Sequence, residues 1–161
     1  MMQRTLVLVK PEAVQRHLVG KIIQRFEDAG LKIVGMKQVW IDEDFGKKHY
    51  FDVAERRGEK ILQQLVKYVS EGPVIAMVLE GSSAVENVRK IVGPTEPKSA
   101  PAGTIRGDFS HGSYHNFDSK EAAVKNIVHA SGNPEEAKQE VELWFKPEEL
   151  HTYKTIQDLL M

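Results

Sequence analysis

Six histidines, no cysteine, and lysines and arginines placed at the ends of apolar runs define the chemistry open to this 161-residue chain. The missing cysteine removes disulfides, thiolate metal sites and cysteine nucleophiles together. His129 is the histidine best placed to react. It follows Asn126-Ile127-Val128, which reads as a short strand, and precedes Ala130-Ser131-Gly132 and then a helix. Small residues after a strand leave a side chain facing a cleft. A satisfied structural histidine fits the same spacing. His111 and His115 fall in the polar stretch Ser110-His111-Gly112-Ser113-Tyr114-His115, which reads as a loop. His17, His49 and His151 lie in helical or tail contexts and read as surface or packing residues.

The cations divide in the same way. Lys10 directly follows Thr5–Val9, an apolar run that reads as a buried strand, so it lies either at a cleft or at a solvated strand end. Arg106 sits in Gly103-Thr104-Ile105-Arg106-Gly107-Asp108. Glycines let backbone approach a ligand closely, and the guanidinium fork suits phosphate. A turn with an exposed arginine is the plain alternative. Arg89 lies on the same helical run as Val85, Val88 and Val92, and taken alone it reads as a solvated face. The P-loop, the dinucleotide fingerprint, the H-E-x-x-H motif and Cys/His zinc spacing are all missing.

The elements that must position these residues follow from periodicity. Thr5–Val9, Leu31–Ile41, Val74–Leu79 and Asn126–Val128 read as strands. Apolar residues at helical spacing mark Leu18–Phe26, ended by Gly30, and Glu59–Val69, broken by Gly72-Pro73. Asp42 suits the N-cap of a helix reaching about Ala54, and Ser82 or Ser83 that of a helix through Val92. Asn133 with Pro134 starts a helix to Phe145. Residues 93–107, rich in Gly and Pro, read as a structured loop, and a long loop in a compact domain is usually functional. Setting aside the middle helices leaves βαββαβ. The expected fold is therefore α/β (α+β), a ferredoxin-like antiparallel four-stranded sheet with additional helices, in a single domain over 1–161. The formal net charge of −1 argues against a broad nucleic-acid surface. No stretch approaches the roughly 20 apolar residues of a membrane helix. No signal peptide is apparent, so a cytoplasmic protein is expected.

Four motifs together resemble the nucleoside diphosphate kinase family. They are Val9-Lys10-Pro11-Glu12, Thr104-Ile105-Arg106-Gly107-Asp108-Phe109, Asn126-Ile127-Val128-His129-Ala130-Ser131 and Trp144-Phe145-Lys146-Pro147-Glu148-Glu149-Leu150, in that family's order and spanning nearly the whole chain. The resemblance implies transfer of the γ-phosphoryl of a nucleoside triphosphate to a nucleoside diphosphate, by ping-pong kinetics through a phosphohistidine. It implies His129 as nucleophile and Glu140 as the carboxylate that orients it. Lys10, Tyr50, Arg89, Thr95, Arg106 and Asn126 match the residues lining the nucleotide and phosphate site. Mg²⁺ is implied on the nucleotide phosphates, with no metal site built by the protein, as is a homo-oligomer, tetramer or hexamer.

The chain also departs from the family pattern. The usual H-G-S-D-S is here His129-Ala130-Ser131-Gly132-Asn133, and Lys-Pro-Asp is Lys10-Pro11-Glu12. The base-stacking region reads Arg57-Gly58-Glu59-Lys60-Ile61-Leu62 and holds no aromatic, which leaves Ile61 or Leu62 as an apolar lid. An extra segment between Phe109 and Asn126 carries Tyr114, His115 and Phe117. It could cover the base, alter subunit contacts or be a plain surface loop. A non-catalytic nucleotide-binding regulatory module and a phosphohistidine phosphotransferase with a different acceptor are the competing functions.

Overall fold

A computed structural model describes residues 2–118 and 120–160. Four strands, β1 (Met2–Val9), β2 (Lys32–Val39), β3 (Val74–Ser82) and β4 (Val128–Ala130), form one antiparallel sheet in the order β2-β3-β1-β4. The helices are α1 (Pro11–Gln15), α2 (Val19–Asp28), α3 (Glu43–His49), α4 (Val53–Arg57), α5 (Glu59–Ser70), α6 (Ala84–Val92), α7 (Ile105–Phe109), α8 (Tyr114–Asp118), α9 (Pro134–Trp144) and α10 (Gln157–Leu160). This is the expected βαββαβ order with its additional helices.

Strand alternation divides the core. Val7, Val9 and Met77 pack with Ile22 and Phe26 of α2 and Val88 and Val92 of α6. Leu6, Leu8, Ala76 and Val78 pack on the opposite face with Leu62, Val66 and Val69 of α5 and Val141 and Trp144 of α9. A sheet covered on both faces needs apolar residues at consecutive positions, which is why β1 reads as an unbroken apolar run. The same period aims the site. Val7 pairs with Ala130, Leu8 with His129 and Val9 with Val128. His129 therefore shares the face of Leu6 and Leu8, towards α3, α5 and α9. Lys10, one residue beyond Val9, continues the ladder, its N–H donating to the carbonyl of Ile127 at 2.9 Å.

Several local expectations are corrected. Asn126 and Ile127 precede the fourth strand instead of forming it, and His129 is its middle residue. Ile127 has φ +60°, and the Val128 N–H donates to the Asn126 carbonyl at 2.7 Å, closing a tight three-residue turn. A β-branched residue in left-handed backbone costs of order 1–3 kcal/mol and persists only where its surroundings hold it. The helix from Asp42 ends at His49, and α4 follows after a turn. Ser83 precedes α6, but at φ 47° its side chain forms no cap hydrogen bond. Arg106 lies on a short helix, α7, capped by Thr104, whose Oγ1 accepts from the Gly107 N–H at 3.0 Å. Gly107 serves packing within the chain, since a Cβ there would lie 2.0 Å from the Pro101 carbonyl oxygen.

Candidate active site

β4 and α9 set the histidine. The Asn133 side chain accepts from the Glu136 N–H at 2.8 Å, and Glu136 Oε2 accepts from the Gly132 N–H at 2.9 Å. This reciprocal cap rebuilds the helix start where the family's Asp and second Ser are absent. Glu140, on the inward face of α9, places Oε1 and Oε2 each 3.0 Å from His129 Nε2. Ser131 Oγ donates to Glu140 Oε2 at 2.6 Å, and the Leu6 N–H donates to Ser131 Oγ at 3.2 Å. The carboxylate is thus tied to the central strand. Burial alone would raise its pKa; the charge and hydrogen bond of His129, with smaller contributions from His49 and Ser131, outweigh burial and bring it down to about 2. An ionised carboxylate on Nε2 fixes that nitrogen as the proton-bearing one and leaves Nδ1 with the free lone pair.

His49 and Trp144 back the histidine. The Trp144 indole N–H donates to His49 Nδ1 at 3.1 Å, and the His49 ring stands edge-on to His129 with centroids 4.6 Å apart. His49 is pushed down to about 3, first by burial and then by His129, so it stays neutral. With Nδ1 accepting, its proton sits on Nε2, a buried atom without a hydrogen-bond partner among the described residues. Tyr50 is buried beside this pair, and burial followed by the Glu140 charge keeps its phenol protonated.

The cations come from distant parts of the chain. Lys10 Nζ donates to Asn126 Oδ1 at 2.7 Å, and Asn126 Nδ2 donates to the Thr95 carbonyl at 3.0 Å. Lys10 is buried and is pushed down to about 7, chiefly by burial and next by Arg106. The Arg106 guanidinium donates to three carbonyls: Nε to Asn126 at 3.2 Å, NH1 to Gly93 at 2.9 Å and NH2 to Val128 at 2.6 Å. It pins the loop after α6 to the tight turn before His129, and burial, then Arg89, lowers it to about 10. Arg89 is exposed on the last turn of α6. Tyr68, on α5, supports the turn from below: the Ile127 N–H donates to its hydroxyl at 3.3 Å, and that hydroxyl donates to Glu12 at 3.0 Å.

One cleft of about 510 Å³ is lined by Lys10, Tyr50, Arg89, Thr95, Arg106, Asn126, His129 and Glu140, so eight of the nine expected site residues converge. Ile61 lines a smaller cleft of about 50 Å³ next to it. His49, Tyr68, Trp144, Ser131, Arg56 and Arg57 are contributors that sequence reading missed. The signal available for His49 was its adjacency to Tyr50 at a helix end. Among the described residues, His49, His129 and Glu140 bring candidate metal-ligand atoms within 4.8 Å of one another. That set is rich in nitrogen, whereas Mg²⁺ selects oxygen ligands. It does not fit a Mg²⁺ cage belonging to the protein.

Fold and cleft together define a ferredoxin-like α/β protein with a cation-lined cleft built around a histidine–carboxylate pair. The nucleoside diphosphate kinase family model matches residues 3–150. The nucleoside diphosphate kinase of Pyrococcus furiosus is 48% identical over 151 residues, covering 94% of this chain and 88% of that one. The enzyme of Borreliella burgdorferi is 44% identical, covering 96% and 93%. A solved structure of nucleoside-diphosphate kinase from Borrelia burgdorferi, a transition state mimic with bound vanadate and ADP, superposes with a TM-score of 0.95 at 42% identity, covering 99% of this chain and 96% of that one. A halophilic enzyme from Halobacterium salinarum in complex with CDP superposes with a TM-score of 0.85 at 36% identity, covering 99% and 98%. The chain belongs to the nucleoside diphosphate kinase family. Its reaction is phosphoryl transfer from a nucleoside triphosphate to a nucleoside diphosphate.

Proposed function

We propose that His129 carries the phosphoryl group between the two half-reactions and that the surrounding residues divide the remaining work. The observation that supports this best is the double contact of Glu140 with His129 Nε2. In the first half-reaction Nδ1 attacks the γ-phosphorus, the N–P bond forms, and the bond to the β,γ-bridging oxygen breaks as the diphosphate leaves. In the second, a terminal β-phosphate oxygen of the acceptor attacks phosphorus and the N–P bond breaks. Phosphoryl transfer asks mainly for positioning and charge stabilisation. Arg89, Arg106 and Lys10 supply positive charge around the transferring group, and Asn126 holds Lys10 against the Thr95 loop. Tyr50 closes the wall beside His129 as a neutral phenol. Mg²⁺ held by the nucleotide phosphates would neutralise part of their charge.

The active unit is one kinase domain over 1–161, acting in the cytoplasm as a homo-oligomer, tetramer or hexamer. Support for self-association comes from β2, a sheet edge with Met36 exposed along it and Trp40 exposed just past its end. Incubation with γ-labelled ATP and Mg²⁺ tests the reading. Label should appear as acid-labile, alkali-stable phosphate, be missing in His129→Ala, and leave on addition of a nucleoside diphosphate. Bound nucleotide without label would favour a regulatory module, and label that leaves only to a non-nucleotide acceptor would favour a different phosphotransferase.

A further inference from the structure

A nucleotide that presents its γ-phosphoryl group to His129 must extend its base away from that residue. Beside the large cleft lies a smaller one. The smaller cleft shares Arg57, Leu65, Thr95 and Asn126 with it but touches neither His129 nor Glu140. Its walls change character, with Ile61 and Leu65 of α5 on one side and Tyr114, Ala123 and Val124 of the segment before Asn126 on the other. The cation-lined end suits phosphates, and the smaller cleft, which mixes these apolar and aromatic groups with Gln64 and Asp118, suits the face and polar edge of a flat heterocycle.

The segment between Phe109 and Asn126 is fastened on both sides of this second cleft. The Tyr114 N–H donates to Glu96 Oε1 at 3.0 Å, beside Thr95, and the Lys98 N–H donates to the Gly112 carbonyl at 2.9 Å. Further along, Glu121 pairs with Lys60 of α5 at 2.8 Å, and Lys125 pairs with Glu71. The two aromatic side chains of α8 then part company. Phe117 folds back on Gly112, where a Cβ would come 2.8 Å from its ring. Tyr114 lines the cleft and remains partly exposed.

We propose that Tyr114 is the base-contacting aromatic of this enzyme, supplied by the inserted segment opposite Ile61 and Leu65, since the α5 residues that line this cleft include no aromatic ring. This rests on the reading of the cleft as the nucleotide site. Tyr114 touches substrate and no reacting atom, so it acts on nucleotide affinity and on discrimination between bases.

Equilibrium binding of ADP and of ribose 5′-diphosphate, which lacks the base, separates this role from a structural one. Tyr114→Ala should weaken ADP binding roughly 5- to 150-fold, the range for losing an aromatic–base stack. Tyr114→Phe should retain ADP affinity, and ribose 5′-diphosphate should bind all three proteins alike. Unchanged ADP affinity in Tyr114→Ala would overturn the proposal, as would equal weakening of both ligands. Failure of the phosphohistidine reading would appear separately, as a protein that binds ADP but takes no label at His129.

Discussion

Lys10 is an ammonium in a place that penalises its charge. Burial and the neighbouring Arg106 and Lys125 outweigh the help from Glu12, and its pKa falls from 10.5 to about 7. In the empty cleft the cation is therefore largely neutralised above neutral pH. A bound phosphate favours the charged form and pulls a proton back on. Calorimetry of ADP binding at about pH 8, in buffers of different ionisation enthalpy, should show net proton uptake. Lys10→Met should lose most of that uptake as well as affinity. Arg106 plays a different part. Three of its donors are committed to carbonyls, so it builds the site while contributing charge to it. Substitution by lysine cannot reproduce that fork.

The short helix α7 shows how an element is specified by contacts its own sequence does not display. Gly103 and Gly107 suggest a ligand loop. In the fold, Gly107 is pressed against Pro101, Thr104 caps the helix, and Asp108 accepts from the Gly103 N–H at 2.8 Å and pairs with Arg25. Gly107→Ala should destabilise the protein by on the order of 1–3 kcal/mol or more, the cost of overpacking. Urea denaturation would measure this, and Arg106 should lose its register on Gly93 with it. The caps at Asp42 and Asn133 were legible because their side chains bond within the next turn. The turn at Ile127 was not legible. Asn126-Ile127-Val128 has strand composition, and only donors from Arg106 and Lys10 and the hydroxyl of Tyr68, all far off in sequence, hold Ile127 in left-handed backbone. For the same reason β4 begins two residues later than its composition suggests.

Across the whole molecule, the order of the four strands and of the longer helices was readable from apolar runs, helical period and breakers; the short helices α1, α7, α8 (which carries His115, expected in a loop) and α10 were not, because so few residues carry no period of their own. The family resemblance then named eight residues that share one cleft, four of them within the quoted motifs. It could not name the pairing of Trp144 with His49, a contact between residues 95 positions apart. The burial of His49 affects the whole protein through pH. His49 is held near 3 by burial and His129, against an ordinary 6.5. Between those values the unfolded chain takes up a proton that the folded chain refuses, so stability falls on acidification through that window. Glu140, lowered from 4.5 to about 2, adds stability that is present above 4.5 and lost as pH falls towards 2. Denaturation midpoints followed from neutral pH downward should decline from about pH 6.5, and His49→Gln should flatten the upper part of that decline. A slope unchanged in His49→Gln would remove His49 from this account.

In the proposed mechanism Glu140 occupies Nε2 and so assigns the chemistry to Nδ1 of His129. Phosphorus–proton correlation NMR of the phosphorylated protein, prepared with ATP and Mg²⁺ and held at alkaline pH, distinguishes the two ring positions directly. The phosphoryl group should be found on Nδ1 of His129. Phosphate on Nε2, or on any other residue, would contradict the account.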